Sequence, residues 1–169
     1  MKQNDRRKNT FVLISLGSNL GEKRSNIDSA VEYLTASGII RDYKVSSYYS
    51  TDPVGYEEQP EFINAAISGY TSLQPNILLN VCKSIEYFIG RNMRPRWHER
   101  EIDIDLIFYG TEKINSSGMT VPHPEMHKRN FVLVPANQIA GTAYHPVLEK
   151  TVSELLDESG DRSKVEAIR

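Results

Sequence analysis

One cysteine, Cys82, occurs in the 169 residues, so no disulfide can form within the chain, and a reducing compartment fits. Cys82 stands in an apolar helical stripe, where a small buried side chain explains it better than a nucleophile does. Long apolar runs are missing too: none approaches the roughly 20 residues that a membrane-spanning helix needs. The polar opening M-K-Q-N-D-R-R-K-N-T is not followed by a signal-peptide hydrophobic region, so a cytoplasmic protein is expected. Nor is there a large excess of charge of one sign. The formal net charge is −2, which gives no general attraction to nucleic acid or an anionic membrane, so any anion site has to be a local cluster of basic residues. Neither a G-x-x-x-x-G-K-[ST] loop nor a Rossmann glycine fingerprint occurs, so phosphates are not cradled in either of those ways.

What is present reads as one soluble α+β domain. Phe11 to Leu16 is a short apolar run that stops at Gly17-Ser18-Asn19-Leu20-Gly21, as a buried strand entering a tight loop does. Ile27, Ala30, Val31 and Leu34 recur at helical spacing and the pattern ends near Gly38. Val45 to Thr51 reads as a strand, and Phe62 to Ser72 as another beyond a loop with Pro53, Gly55 and Pro60. Pro75 suits the first turn of a second helix, whose stripe is Leu78, Val81, Cys82, Ile85, Phe88 and Ile89, with Gly90 at its C-terminal end. After an arginine-rich loop, Ile102 to Tyr109 alternates as a strand. The order strand–helix–strand–strand–helix–strand predicts a ferredoxin-like βαββαβ core, an antiparallel sheet with two packed helices. Residues 111–169 read as an appendage of short elements, with Val152, Leu155 and Leu156 docking one short helix. The expected organisation is a flexible tail over 1–10, a single domain over 11–160 and a loose tail over 161–169.

The chemistry concentrates between Arg94 and Gly110, R-P-R-W-H-E-R-E-I-D-I-D-L-I-F-Y-G. Alternation along the strand puts Ile102, Ile104, Leu106 and Phe108 on one face and Asp103 and Asp105 on the other, roughly 7 Å apart. Two carboxylates at that distance repel by about 2 kcal/mol at an effective dielectric near 20, so something positive has to compensate. Arg91, Arg94, Arg96 and Arg100 supply fixed charge, and a divalent cation can bridge the carboxylates. Mg²⁺ takes one or two carboxylates together with phosphate oxygens, which suits a bound polyphosphate. A surface strand with a network of ion pairs is the plainer alternative. A second cluster, V-P-H-P-E-M-H-K-R-N-F-V-L-V-P from Val121 to Pro135, sets His123, His127, Lys128 and Arg129 among three prolines. No H-E-x-x-H helix or second cysteine accompanies the histidines, which argues against zinc.

With these residues in view, the sequence resembles the 6-hydroxymethyl-7,8-dihydropterin pyrophosphokinase family. The motifs are L-G-S-N-L-G at Leu16 to Gly21, S-T-D-P-V-G at Ser50 to Gly55, Q-P-E-F-I-N-A-A at Gln59 to Ala66, R-x-x-D-I-D at Arg100 to Asp105, and V-P-H-P. Each is weak alone; five in the right order are specific. The resemblance implies transfer of the β,γ-pyrophosphoryl of ATP to the pterin hydroxymethyl group, releasing AMP, in folate biosynthesis. It implies two Mg²⁺ ions on Asp103 and Asp105, and phosphate-handling or catalytic roles for Arg91 and Arg100. Glu86, Trp97, Thr120, His123 and Arg129 match ATP-site positions, with Trp97 in a loop that closes over the substrates. Thr51, Val54, Phe62, Asn64 and Phe131 match pterin-site positions, the two phenylalanines enclosing the ring and the amide reading its edge. ATP and the pterin are then the partners of a monomer or weak homo-oligomer, with no nucleic acid and no membrane. A ferredoxin-like RNA-binding module is disfavoured by the charge and by the missing aromatic RNP pattern. A non-catalytic small-molecule-binding domain on the same fold is the remaining alternative.

Overall fold

The computed structural model describes residues 9–52, 59–90 and 99–168. Residues 1–8, 53–58, 91–98 and 169 lie outside it, so the expected tail over 1–10 is described only at its end, where Thr10 already begins the first strand. The elements run β1 (Thr10–Ser18), α1 (Lys23–Ala36), β2 (Arg41–Val45), β3 (Tyr48–Thr51), β4 (Phe62–Thr71), α2 (Pro75–Phe88) and β5 (Asp103–Tyr109). They continue with β6 (Ile114–Ser116), β7 (Met119–Val121), a 3₁₀ turn (Met126–Lys128), α3 (Asn130–Ala140), β8 (Tyr144–His145), β9 (Lys150–Thr151), α4 (Val152–Asp157) and β10 (Val165–Ile168). Through β5 this is the expected βαββαβ order on an antiparallel sheet, with the second strand position filled by two strands, β2 and β3.

The sheet runs β10-β3-β4-β1-β5, and β2 also pairs with β4. A strand from Val45 to Thr51 was expected as one piece, but it is broken at Ser46 and Ser47 into the ends of β2 and β3, which lie in succession along the same edge of β4. Ser46 bridges the break with its own hydrogen bonds: its N–H donates to the Ala66 carbonyl at 2.9 Å, and its Oγ accepts the Ala66 N–H at 2.9 Å. Gln138 of α3 fastens the other side, accepting the Ser47 N–H at 2.7 Å.

Because side chains alternate across a strand, β1 divides its residues between two cores. Val12, Ile14 and Leu16 join Ile27, Ala30 and Leu34 of α1 and Leu78, Cys82 and Ile85 of α2 on one face. Leu13 joins Val132, Leu133 and Ala136 of α3 and Val152 and Leu155 of α4 on the other. The segment beyond 110 therefore does more than append short elements, since its eleven-residue α3 covers the second face of the sheet. Pro135 inside α3 hides that helix from a reading by pattern, although its ring is buried there. α4 forms where expected, started by a capping box in which Thr151 Oγ1 accepts the Glu154 N–H and Glu154 Oε2 accepts the Thr151 N–H.

Two expectations are corrected. Phe108 does not share a face with Ile102, Ile104 and Leu106. The β1–β5 register pairs Leu13 with Phe108 but Ile14 with Leu106, so Ile107 is an extra residue, a β-bulge that reverses the alternation. Ile107 and Phe108 consequently both belong to the α3 side. Within the tail expected to be loose over 161–169, Val165–Ile168 instead pairs antiparallel with Tyr48–Thr51 and closes the sheet at that edge. Strand pairing to a distant edge leaves no local signature in so short a segment.

Burial pushes the Cys82 thiol up to about 12, which agrees with its reading as a small core residue. His145 is also buried, its ring edge-to-face with Phe108 at 5.6 Å and its Nδ1 accepting the N–H groups of Val147 and Leu148. Burial, aided by the nearby His127, holds its imidazole below the ordinary value near 6.5. Below that value the unfolded chain takes up a proton that the folded chain refuses, so stability is complete above about pH 6.5 and falls as pH drops towards the folded value. A thermal melt followed from pH 8 to pH 5 is expected to be flat at first and then to decline, with a shallower decline in His145→Asn. An equal slope in that variant would remove His145 from the account. Among the described residues no helix is long and apolar enough to cross a membrane.

Candidate active site

The bulge decides which side the carboxylates face. Before it, Asp103 and Asp105 project to the α3 side, beside Gly17 and Ser15, their register partners on β1. Gly17 is in turn opposite Asn64 of β4, and Phe62 of β4 is opposite Thr51 of β3. Phe62 and Asn64, two residues apart, thus face the same way as the aspartates, across a floor of small residues. These residues line one cavity with Asp52, Gln59, Arg100, Arg129 and Phe131. Gly17 is required by its floor, because a Cβ there would sit 2.9 Å from Asn64 Oδ1.

At the acidic end Arg100 pairs with Asp103 through its guanidinium, so a fixed charge offsets part of the repulsion between the aspartates. Arg100 itself is placed by Asn19, fully buried, which accepts the Arg100 N–H at 2.8 Å on Oδ1 and donates its own N–H to the Arg100 carbonyl at 3.1 Å. Asn19 Nδ2 also donates to Gln59 Oε1 at 3.0 Å and to the Pro60 carbonyl at 3.2 Å, tying the two loop ends that border the cavity. Among the described residues no third His, Cys, Asp or Glu joins the two aspartates in a metal-holding group. Two half-buried carboxylates facing an open cavity fit Mg²⁺, which completes its shell with water and phosphate oxygens.

At the other end Asn64, buried, donates from Nδ2 to Thr51 Oγ1 at 2.7 Å, which fixes the amide plane. Arg129 lies over the Phe131 ring, 5.8 Å from its centroid. His123 is set beside the site by the bulge, since its N–H donates to the Ile107 carbonyl at 3.0 Å. Its Nδ1 accepts the Glu125 N–H at 3.2 Å, which leaves Nε2 to carry the proton. Burial holds His123 below its ordinary value; Asp105 opposes that shift and Arg129 adds to it.

Glu86 and Thr120 stand apart from the cavity. Glu86 is buried on α2 at the open edge of β5, where its Oε1 accepts the Ile104 N–H at 2.8 Å and Lys83 Nζ at 3.1 Å. It is not among the cavity's lining residues. Thr120 is exposed on β7, opposite Asn115. Arg91, Val54 and Trp97, like Arg94 and Arg96, lie outside the described residues. Sequence reasoning did not single out Ser15, Gly17 or Asn19 as site residues. The signal was available in β1, where small residues replace apolar ones on the face that begins with Leu13.

The chain is similar to known proteins in both sequence and fold. A model of the 7,8-dihydro-6-hydroxymethylpterin-pyrophosphokinase (HPPK) family matches residues 13–141. The chain is 38% identical over 154 residues to a 2-amino-4-hydroxy-6-hydroxymethyldihydropteridine pyrophosphokinase of Bacillus subtilis, covering 91% of this chain and 90% of that one. It is 42% identical over 132 residues to a folate synthesis bifunctional protein of Arabidopsis thaliana, but covers only 27% of that protein and 78% of this one. Among solved structures, wild-type Plasmodium falciparum HPPK-DHPS with pteroate superposes with a TM-score of 0.69 at 16% identity, over 89% of this chain and 42% of that chain. Matched along most of its length by both the family model and full-length relatives, the chain belongs to the 7,8-dihydro-6-hydroxymethylpterin-pyrophosphokinase family.

Proposed function

We infer that the protein transfers the β,γ-pyrophosphoryl group of ATP to the hydroxymethyl group of 6-hydroxymethyl-7,8-dihydropterin, releasing AMP, in folate biosynthesis. The observation that carries this reading is one cavity lined both by the carboxylate pair Asp103 and Asp105 and by the amide of Asn64 with Phe62 and Phe131. A flat heteroaromatic ring gains by lying between Phe62 and Phe131, and Asn64 offers both an acceptor and a donor to its edge. With Nδ2 engaged by Thr51, Asn64 Oδ1 is held as an acceptor above Gly17, suited to ring N–H groups.

Asp103 and Asp105 would hold two Mg²⁺ ions. When bound, such ions neutralise phosphate charge and lower the pKa of a coordinated hydroxyl. Arg100 and Arg129 face the same space and supply donors to the phosphate oxygens, while His123 presents a neutral N–H. The chain's own contribution is then positioning and charge complementarity for in-line attack of the pterin hydroxyl on the β-phosphorus. Arg91 matches a further phosphate arginine, Glu86, Thr120 and Trp97 match the nucleotide site, and Val54 borders the pterin. The protein acts on these two small molecules, ATP and the pterin, in the cytoplasm as a monomer or weak homo-oligomer.

Incubation with Mg-ATP and the hydroxymethyl dihydropterin is expected to yield AMP and the pterin diphosphate in equal amounts, and to yield neither when EDTA is added. ADP as the nucleotide product, or no product, would overturn the assignment.

A further inference from the structure

The last described strand joins the two walls of the pterin end. After α4 the chain reaches Asp161, whose Oδ2 accepts the Asn130 N–H at 2.7 Å and whose carbonyl accepts Asn130 Nδ2 at 3.1 Å. Asn130 is the first residue of α3, and it stands between Arg129 and Phe131, both of which line the cavity. The residue before the helix, Arg129, makes no side-chain cap, so Asp161 supplies from a distant segment the acceptor and negative charge that a helix N-terminus favours. Asp161 Oδ1 meanwhile accepts the Ser163 N–H at 2.8 Å, turning the chain towards the sheet. Val165 then pairs with Thr51 and Ile168 with Tyr48. Thr51 lines the same cavity and orients Asn64.

We propose that residues 161–168 act as a strap that sets the spacing of the pterin pocket, with Asp161 as the positioning residue that locks the Phe131 wall to the Thr51 wall. This rests on the pterin assignment made above. The strap reaches neither Asp103 nor Asp105, which lie on β5 at the opposite edge of the sheet; it adjoins the phosphate side through Arg129, next to Asn130, but holds two pterin-side residues, Phe131 and Thr51, so its influence falls on the pterin more than on ATP.

Asp161→Ala is expected to raise the KM for the pterin about fivefold, the size of a lost helix-terminal cap, and to leave the KM for ATP within about twofold. Asp161→Asn keeps an acceptor for the Asn130 N–H and is expected to restore most of the loss. Val165→Gly weakens the ladder at Thr51 while leaving the Asp161–Asn130 bonds in place, and is expected to give the same pterin-selective rise. A thermal melt identifies a variant that does not fold, and the inference is then judged on the other. A rise in neither folded variant, or an equal rise for both substrates, overturns the strap. Asn64→Ala is the control for the pocket itself. If it raises the pterin KM and the strap variants do not, the strap alone is wrong; if it too has no effect, the pterin assignment and the strap fall together.

Discussion

Asp105→Ala is expected to lower kcat by about a hundredfold or more at saturating Mg-ATP and pterin, while the protein stays folded. Asp105 faces the cavity and belongs to neither apolar cluster, so its side chain contributes no core packing. Its strand is held by backbone pairing with β1 and by the Ile104 side chain beneath it, both indifferent to a carboxylate on the upper face. Removing it also relieves repulsion with Asp103, worth about 2 kcal/mol at roughly 7 Å and an effective dielectric near 20. The thermal midpoint should therefore hold or rise as activity collapses. That opposed pair of changes separates a metal ligand from a member of a surface ion-pair network, whose loss would leave turnover nearly normal. Steady-state kinetics at several Mg²⁺ concentrations, with a melt on the same sample, reads both.

Asn64→Ala is expected to raise the KM for the pterin about thirtyfold to a hundredfold, with the KM for ATP nearly unchanged. The amide is buried and oriented by Thr51, so its loss leaves the ring edge without partners, at about 1–3 kcal/mol for each unpaired group. Replacement by alanine also strands Thr51 Oγ1, so a modest fall in melting temperature accompanies the kinetic change. Equal increases in both Michaelis constants would point to a general loosening of β4 instead of lost recognition.

Local pattern carried the core elements well, because each rests on a periodicity visible over ten residues or so. The stripe of α2, the alternation of β5 up to Leu106 and the paired facing of Phe62 and Asn64 follow from such spacing. The failures have a common cause. Ile107 is a bulge because of how β5 meets β1, and β10 is a strand because β3 offers it an edge. Ser46 breaks an expected strand by bonding to Ala66, twenty residues away. Pro135 makes α3 look unlike a helix, yet packing against the sheet keeps it one. In each case the deciding partner is far along the chain.

The same division holds for the site. By itself the sequence determined that Asp103 and Asp105 share a face, that Phe62 and Asn64 share a face, and, through its motifs, which family the chain resembles. It could not determine that those are the same face of one sheet. Period-two alternation gives the relative sides of neighbours in a strand but carries no sign between strands. Only the register of β5 and β4 on β1, with Gly17 between Asp103 and Asn64, puts the carboxylates and the amide over one floor. Only the packing of α3, capped by Asp161, brings Arg129 and Phe131 over them as the roof.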